Sequence, residues 1–196
     1  MTEIGLADKV VRIHRAMTRA KIPHAYGGAL ALAYYATPRA TMDIDLNVFV
    51  APEHHGPTLK VLTRLGIERI PPIDEIIERG QARTWWGPNP VDLFFAYDPI
   101  HDEMRAWSRT VPFGDTQIPI IAGEHLLVAK AVFDRTKDWI DIEQMLIAMD
   151  SLDVEEVRRW LDHLVGKDDG RYRRVDELIV RLCEEPTHPY SRLKPT

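Results

Sequence analysis

Two aspartates one residue apart interrupt an otherwise apolar run, "RATMDIDLNVFV", at residues 39–50. Side chains alternate between the two faces of a β-strand, so Asp43 and Asp45 are expected to emerge on the same face. Two neighbouring carboxylates repel each other unless a cation lies between them. Because Mg²⁺ takes oxygen ligands and keeps water molecules for substrate phosphates, the pattern predicts a Mg²⁺ site that acts on a phosphorylated substrate.

A third acid and a pair of glycines support this interpretation. Asp92 begins the predicted strand "PVDLFFAY", which could lie beside the strand of the diacid. With a nucleoside triphosphate bound, one metal ion can bridge the polyphosphate while a second lowers the pKa of the attacking hydroxyl. Gly27 and Gly28 lie between a predicted strand and a predicted helix, where backbone amides can receive phosphate oxygens.

The diacid alone has two other interpretations. A lone Asp-x-Asp on a strand is most often solvated surface. A calcium-binding loop would need a glycine at the position of Val48 and a glutamate at the position of His54, so that loop is excluded. The glycine pair and Asp92 together favour a metal site over a solvated surface.

The elements around these residues predict an α+β fold. Residues 6–20 and 56–66 have apolar side chains at three- and four-residue spacing, which is typical of amphipathic helices. Short strands alternate with these helices up to about residue 122, and the segment "ALALAYYA" after the glycines is predicted to be helical. We expect a mixed core over residues 1–122, followed by a helical C-terminal part, residues 123–196, packed on the core.

The helical part carries three further expectations. A break is expected around Asp134 to Asp138, and Asp153 is expected to cap a helix, although it could also be a later acid of the site. Pro186 is expected to end the last helix, and the last ten residues are expected to fray.

Composition excludes few functions. The net charge of −5 does not indicate a nucleic-acid-binding protein, although a local basic face remains compatible with it. The single cysteine, Cys183, permits no internal disulfide, which favours a reducing compartment. No stretch approaches the roughly 18 uninterrupted apolar residues of a membrane span, and the charged N-terminus does not resemble a secretory signal. We therefore expect a cytoplasmic protein without a membrane span.

Two blocks of sequence resemble a known family. The stretch "GGALALAYYATPRATMDIDL", residues 27–46, resembles the signature of the nucleotidyltransferase superfamily of the DNA polymerase β type. Its form is most similar to AbiE-type (AbiEii/MenT-like) nucleotidyltransferase toxins of bacterial toxin–antitoxin systems. The stretch "KAVFDRTKDWIDI", residues 130–142, resembles their downstream lysine-rich motif. The resemblance implies a nucleotidyltransferase-type mixed sheet flanked by helices.

The resemblance also implies roles for the residues of the first block. Gly27 and Gly28 would hold the triphosphate through the backbone, and Asp43 and Asp45 would ligate Mg²⁺. Asp92 would be the third catalytic acid and metal ligand, and would help to deprotonate the acceptor hydroxyl. The flanking residues that would contact the nucleotide are Arg39 and Thr41, although they could equally fill a strand face.

In the second block, the resemblance implies that lysines neutralise the phosphate charge of the nucleotide. Lys137 would be catalytic, and Lys130 and Arg135 would bind the nucleotide. Asp138 and Asp141 would orient these cations. Their three- and four-residue spacing also permits an alternative, in which they form ordinary ion pairs on a helix surface.

The resemblance implies Mg²⁺-dependent transfer of a nucleoside monophosphate from an NTP to an acceptor hydroxyl. It implies a tRNA 3′ end as the acceptor, and a toxin that has a cognate antitoxin. The late basic residues could grip an RNA backbone or could lie on solvated helix faces among acids; they are Arg158, Arg159, Lys167, Arg171, Arg173, Arg174 and Arg181. Alternative functions are transfer to a small molecule such as an aminoglycoside, transfer to a protein, or binding without catalysis.

Overall fold

One mixed sheet of six strands organises the structure, a computed structural model that describes residues 4–184. In chain order the strands are β1 His24–Tyr26, β2 Ile44–Val48, β3 Gln81–Trp86, β4 Asn89–Phe95, β5 Arg109–Phe113 and β6 Thr116–Ile120. Their order across the sheet is β3-β4-β2-β1-β6-β5. The pairs β2–β4 and β1–β6 are parallel, and the other neighbouring pairs are antiparallel.

Helices precede, interrupt and follow the sheet in sequence. In chain order they are α1 Leu6–Arg19, α2 Gly28–Leu32, α3 Gly56–Arg64, α4 Ile73–Arg79, α5 Ile100–Ala106, α6 Gly123–Phe133, α7 Thr136–Ala148, α8 Val154–Val165 and α9 Gly170–Ile179. A short 3₁₀ helix covers Pro52–His54, and a π-helical turn, Val180–Glu184, follows α9. Within residues 4–184, no helix is long and apolar enough to cross a membrane. The predicted α+β class is confirmed.

The described residues form two compact units. Residues up to 30 and residues 39–122 make the first unit, which contains the whole sheet. Residues 31–38 and those from 123 onward make the second. The segment 31–38, which the sequence-based division placed in the first part, thus belongs to the second unit. That the helical part packs on the core stays a prediction.

Strand alternation in the first unit separates an apolar face from a polar one. The fully buried apolar residues of the two central parallel strands are Ile44, Leu46 and Val48 of β2 and Val91, Leu93 and Phe95 of β4. Because successive side chains point to opposite faces, Asp45 and Asp92 lie on the other face of the same strands. The apolar residues of the diacid strand therefore anchor the sheet and leave its acids outside the core.

Three boundaries differ from the sequence prediction. The helix after the glycine pair is α2, which ends at Leu32 rather than continuing to residue 36. β2 begins at Ile44, so Asp43 lies one residue before the strand. Asp92 lies in the middle of β4, not at its start, because the strand begins at Asn89 and continues the hairpin from β3. The short helices α4 and α5 were not anticipated.

In the second unit, α6 packs against α7, α8 and α9. The expected helix break is confirmed, because α6 ends at Phe133 and Asp134 has a φ of +54°. The Asp134 carboxylate accepts a hydrogen bond of 2.7 Å from the Trp139 indole. Asp153 is a helix cap, since its side chain accepts the Glu156 backbone N–H at 3.0 Å. The expectations for Pro186 and for the last ten residues lie outside the described residues.

Candidate active site: an acid cluster on the sheet

The parallel pairing of β2 with β4 brings the predicted acids together. Asp45 stands directly opposite Asp92 in the register of the two strands, so both carboxylates occupy the same face. Asp43 precedes Asp45 by two residues and is, like Asp45 and Asp92, neither fully buried nor fully exposed. Three carboxylates that the sequence separates by up to 49 positions therefore share one surface of the sheet.

The glycine pair gives Asp45 its space. Gly28 has a φ of +53°, and a Cβ atom there would overlap the Asp45 carboxylate. A Cβ atom on Gly27 would lie 2.9 Å from the amide nitrogen of Asn47, and the Gly27 N–H donates to the Asp45 carbonyl at 2.9 Å. Any side chain at Gly28 would therefore displace the acid. The helix α2 has only five residues, so it adds little helix dipole to these amides.

Arg83 is the cation of this cluster and was missed by the sequence analysis. It stands opposite Asp92 in the antiparallel β3–β4 hairpin and donates two hydrogen bonds to it, Nε to Oδ1 and Nη2 to Oδ2, both 2.7 Å. The pair with Asp92 raises the pKa of Arg83 above its usual value, and attraction by Asp43 and Asp45 adds to the effect. The signal was present in the sequence, because residues 83 and 92 are equidistant from the Gly87-Pro88 turn.

The cluster gathers carboxylate oxygens on one surface of the sheet. Asp43, Asp45 and Asp92 all attract the guanidinium of Arg83, whose side chain is 56% exposed. Carboxylate oxygens are the ligands that Mg²⁺ takes, so the chemistry of the donor set fits that ion. Within residues 4–184, however, no group of three His, Cys, Asp or Glu side chains is arranged as a metal centre. Both Asp92 oxygens accept hydrogen bonds from Arg83 instead.

A buried lysine holds the segment that enters the diacid strand. The Lys9 ammonium donates to the Trp86 carbonyl at 2.9 Å and to the Asn89 side-chain oxygen at 2.6 Å. The Asn89 amide then donates to the carbonyl of Met42, the residue before Asp43, at 2.9 Å. This chain of contacts, from Lys9 through Asn89 to Met42, fixes the backbone that carries Asp43. The sequence analysis did not detect it, because Lys9 reads as a solvent-exposed charge of an amphipathic helix.

The flanking residues of the first block have local roles in the structure. The Thr41 hydroxyl accepts the Asp43 backbone N–H at 3.1 Å, so it shapes the turn before β2. Arg39 lies partly buried in the segment between α2 and β2. Their contacts with a nucleotide stay predictions.

The second block forms a cluster of its own within the helical unit. Lys130 donates to Asp141 at 2.6 Å and lies 3.5 Å from Asp138, and the Arg135 guanidinium reaches Asp138 at 2.5 Å. Lys130, Asp138 and Asp141 are all buried, so these are not the surface ion pairs that their spacing also permitted. Lys137 is exposed in the first turn of α7. The nucleotide-related roles of the block stay predictions.

The late basic residues favour the alternative of solvated, paired helix faces. Six of them form ion pairs with acids of the same unit: Arg158 with Glu155, Asp176 and Glu184, Arg159 with Glu156, Lys167 with Asp162, Arg171 with Asp169, Arg173 with Asp168, and Arg181 with Glu143. The Arg174 guanidinium lies 4.0 Å from the ring centre of Trp139. Positive charge that is matched in this way gives weak attraction for a phosphate backbone.

The structure resembles several solved proteins, although no family model and no curated protein matches the sequence. The antibiotic-resistance factor ANT(2″)-Ia has a TM-score of 0.58 at 15% identity, over 87% of this chain and 95% of that one. An antigenic nucleotidyltransferase-like protein from Paracoccidioides brasiliensis has a TM-score of 0.56 at 14% identity, over 95% and 92%. The lincosamide antibiotic adenylyltransferase LnuA, bound to lincomycin, has a TM-score of 0.53 at 14% identity, over 74% and 98%.

These similarities extend over most of this chain and nearly all of each of the other three. At such low identity they bear on the fold, not on the substrate. Together with the mixed sheet and the acid pair on its two central parallel strands, they show that this chain has the nucleotidyltransferase fold.

Proposed function

We propose that this chain is a Mg²⁺-dependent nucleotidyltransferase that transfers a nucleoside monophosphate from an NTP to an acceptor hydroxyl and releases pyrophosphate. The observation that carries the proposal is the alignment of Asp45 with Asp92 on adjacent parallel strands, with Asp43 two residues upstream. Carboxylates of like charge that lie this close together favour a bound cation.

In the proposed reaction, Asp43, Asp45 and Asp92 would hold the metal ion. Bound Mg²⁺ would supply neutralisation of the triphosphate charge and would lower the pKa of the attacking hydroxyl. The acceptor oxygen forms a bond to the α-phosphorus while the bond from that phosphorus to pyrophosphate breaks. The hydroxyl proton passes to a carboxylate oxygen of Asp92. The roles of Lys130 and Lys137 in this scheme rest on the sequence resemblance alone.

For the acceptor, we propose a tRNA 3′ end, modified in the cytoplasm by a toxin that a cognate antitoxin restrains. Two sequence blocks support this, namely residues 27–46 and 130–142, which resemble AbiE-type toxins. The ion-paired arginines of α8 and α9 offer no additional support, so RNA contacts would have to involve other cations.

Transfer to a small molecule is the second candidate. The observation that favours it is the structural similarity to ANT(2″)-Ia and LnuA, two proteins described as acting on antibiotics. The matched charges of the late basic residues agree with an acceptor that carries no phosphate backbone.

The test is a transfer assay with every acceptor class present. The purified protein is incubated with Mg²⁺, each α-³²P-labelled NTP in turn, and total RNA, a cell-protein extract, an aminoglycoside or a lincosamide. Asp45→Asn removes one proposed metal ligand, and Asp102→Asn, an exposed aspartate on α5, is the matched control. We expect Asp45→Asn to lose transfer by about 10²–10³-fold and Asp102→Asn to retain it.

The destination of the label decides the acceptor. Label in a tRNA-sized band supports the toxin function, label in the antibiotic supports the second candidate, and label in protein points to a protein acceptor. If no nucleotide is transferred to any acceptor, the chain is a binding protein with this fold and the proposed function is wrong.

A further inference from the structure

The contact between Arg83 and Asp92 uses every oxygen that Asp92 could offer to a metal ion. Nε binds Oδ1 and Nη2 binds Oδ2, both at 2.7 Å, in the fork geometry in which a guanidinium matches a carboxylate. A divalent cation takes at least one carboxylate oxygen from each acid that ligates it. A cation that ligated Asp92 would share these two oxygens with a guanidinium of like charge, so Arg83 and the cation compete for Asp92.

The contact between Arg83 and Asp92 can open. The Arg83 side chain is 56% exposed, whereas that of Asp92 is only 15% exposed, so the guanidinium can leave towards solvent while the carboxylate stays on the sheet. Because water can take over the hydrogen bonds of the exposed guanidinium, a divalent cation held by Asp43 and Asp45 can displace it. The remaining acids also attract Arg83, so it is held near the site and not only by Asp92.

We propose that Arg83 is a positioning residue. It holds the Asp92 carboxylate on the face of the diacid, and it releases that carboxylate to a divalent cation when the cation binds Asp43 and Asp45. The inference rests on the proposed function for its metal ion. It goes beyond that function, because it assigns a role to a residue outside the sequence motifs. Until a cation replaces the guanidinium, the Asp92 carboxylate stays paired with Arg83 across the β3–β4 hairpin.

Direct cation binding tests the exchange without reference to activity. Mn²⁺ is titrated into the nucleotide-free protein and the free ion is followed by electron paramagnetic resonance. Arg83→Gln removes both the charge and the fork, whereas Arg83→Lys keeps the charge but cannot bind both oxygens in the same geometry. Arg105→Gln, an exposed arginine on α5, is the matched control, and far-ultraviolet circular dichroism shows that each variant is folded.

We expect Arg83→Gln to bind Mn²⁺ up to about fivefold more tightly than the wild type, Arg83→Lys to be tighter by a smaller factor, and Arg105→Gln to be unchanged. In an Asp92→Asn background, the gain from Arg83→Gln should shrink, because the atoms under competition are no longer a carboxylate.

Two results would overturn the exchange. If neither Arg83 variant gains Mn²⁺ affinity, the guanidinium does not compete with the ion. If only Arg83→Gln gains affinity and Arg83→Lys equals the wild type, the effect is one of charge at a distance and not of competition for Asp92. Transfer by the wild type is measured separately, so tighter Mn²⁺ binding by both variants without any transfer would reject the proposed function and keep the exchange.

Discussion

Each unit of the molecule contains a cluster of aspartates and cations, and the two clusters differ in burial. In the first unit, Asp43, Asp45 and Asp92 are partly exposed and the Arg83 side chain is 56% exposed. In the second unit, Asp138 and Asp141 are 0% and 2% exposed and pair with Lys130 and Arg135. Solvent and ions can reach the acids of the first cluster but not those of the second.

This difference separates a site that can take a cation from one that already holds its own. A buried carboxylate without a partner is costly, so removal of one partner from the second cluster should destabilise the protein. The acids of the first cluster lie where water and ions can reach them. The acids of both clusters were identified in the sequence, but only the structure distinguishes their burial.

The strongest test of this contrast is Lys130→Met. Removal of the buried ammonium leaves Asp138 and Asp141 without their shared cation, and we expect the free energy of unfolding to fall by about 3–5 kcal/mol. Urea denaturation followed by circular dichroism measures the change. Lys137→Met, at an exposed position of the same block, should remain within about 0.5 kcal/mol of the wild type. Equal losses in the two variants would contradict a structural role for the buried cluster.

The backbone of the first cluster is supported by buried hydrogen bonds through Asn89, and Asn89→Ala tests this. The substitution removes the amide that joins the Lys9 ammonium to the Met42 carbonyl. We expect a loss of about 1–3 kcal/mol in the free energy of unfolding, because buried polar groups lose their partners. Transfer activity should fall as well, since Met42 precedes Asp43. The control is Gln117→Ala, an exposed amide on β6, and an equally small change in both variants would contradict the role of Asn89.

The space around the first cluster is tested by Gly28→Ala. Its backbone has a φ of +53°, which costs an alanine about 1–2 kcal/mol, and its Cβ atom would overlap the Asp45 carboxylate. We expect transfer to fall by about 10²-fold through displacement of the acid. Gly114→Ala has the same strain at a φ of +55° but open space around the Cβ atom, so it should lose similar stability and retain transfer. Retained transfer in Gly28→Ala would show that Asp45 tolerates displacement.

The smallest expected effect is that of Asp43→Asn, and the same change at Asp138 in the second cluster should have the opposite sign. Asp43→Asn relieves repulsion and should raise the free energy of unfolding by up to about 1 kcal/mol in low-salt buffer with EDTA. Added salt should shrink this gain by screening the charges. Asp138→Asn should instead destabilise the protein, because it unbalances a buried pair. If both substitutions destabilise, the repulsion between the acids of the first cluster is already compensated.

The sequence by itself determined much of this protein. Alternation of apolar residues with Asp43 and Asp45 predicted the face of β2, helical periodicity predicted α1 and the helices from residue 123, and the break near Asp134 was predicted correctly. These signals are local, because burial of one face of a strand or helix leaves a short-period pattern in the chain.

Tertiary structure alone decided which groups meet. Two contacts depend on strand pairing and packing, not on any local pattern: β4 lies parallel to β2 with Asp92 opposite Asp45, and Lys9 reaches Asn89 at a separation of 80 residues. The surroundings of each acid follow from such long-range contacts. A charged residue has the same one-letter code whether its side chain is solvated, paired or buried, so its role became clear only from its neighbours in the structure.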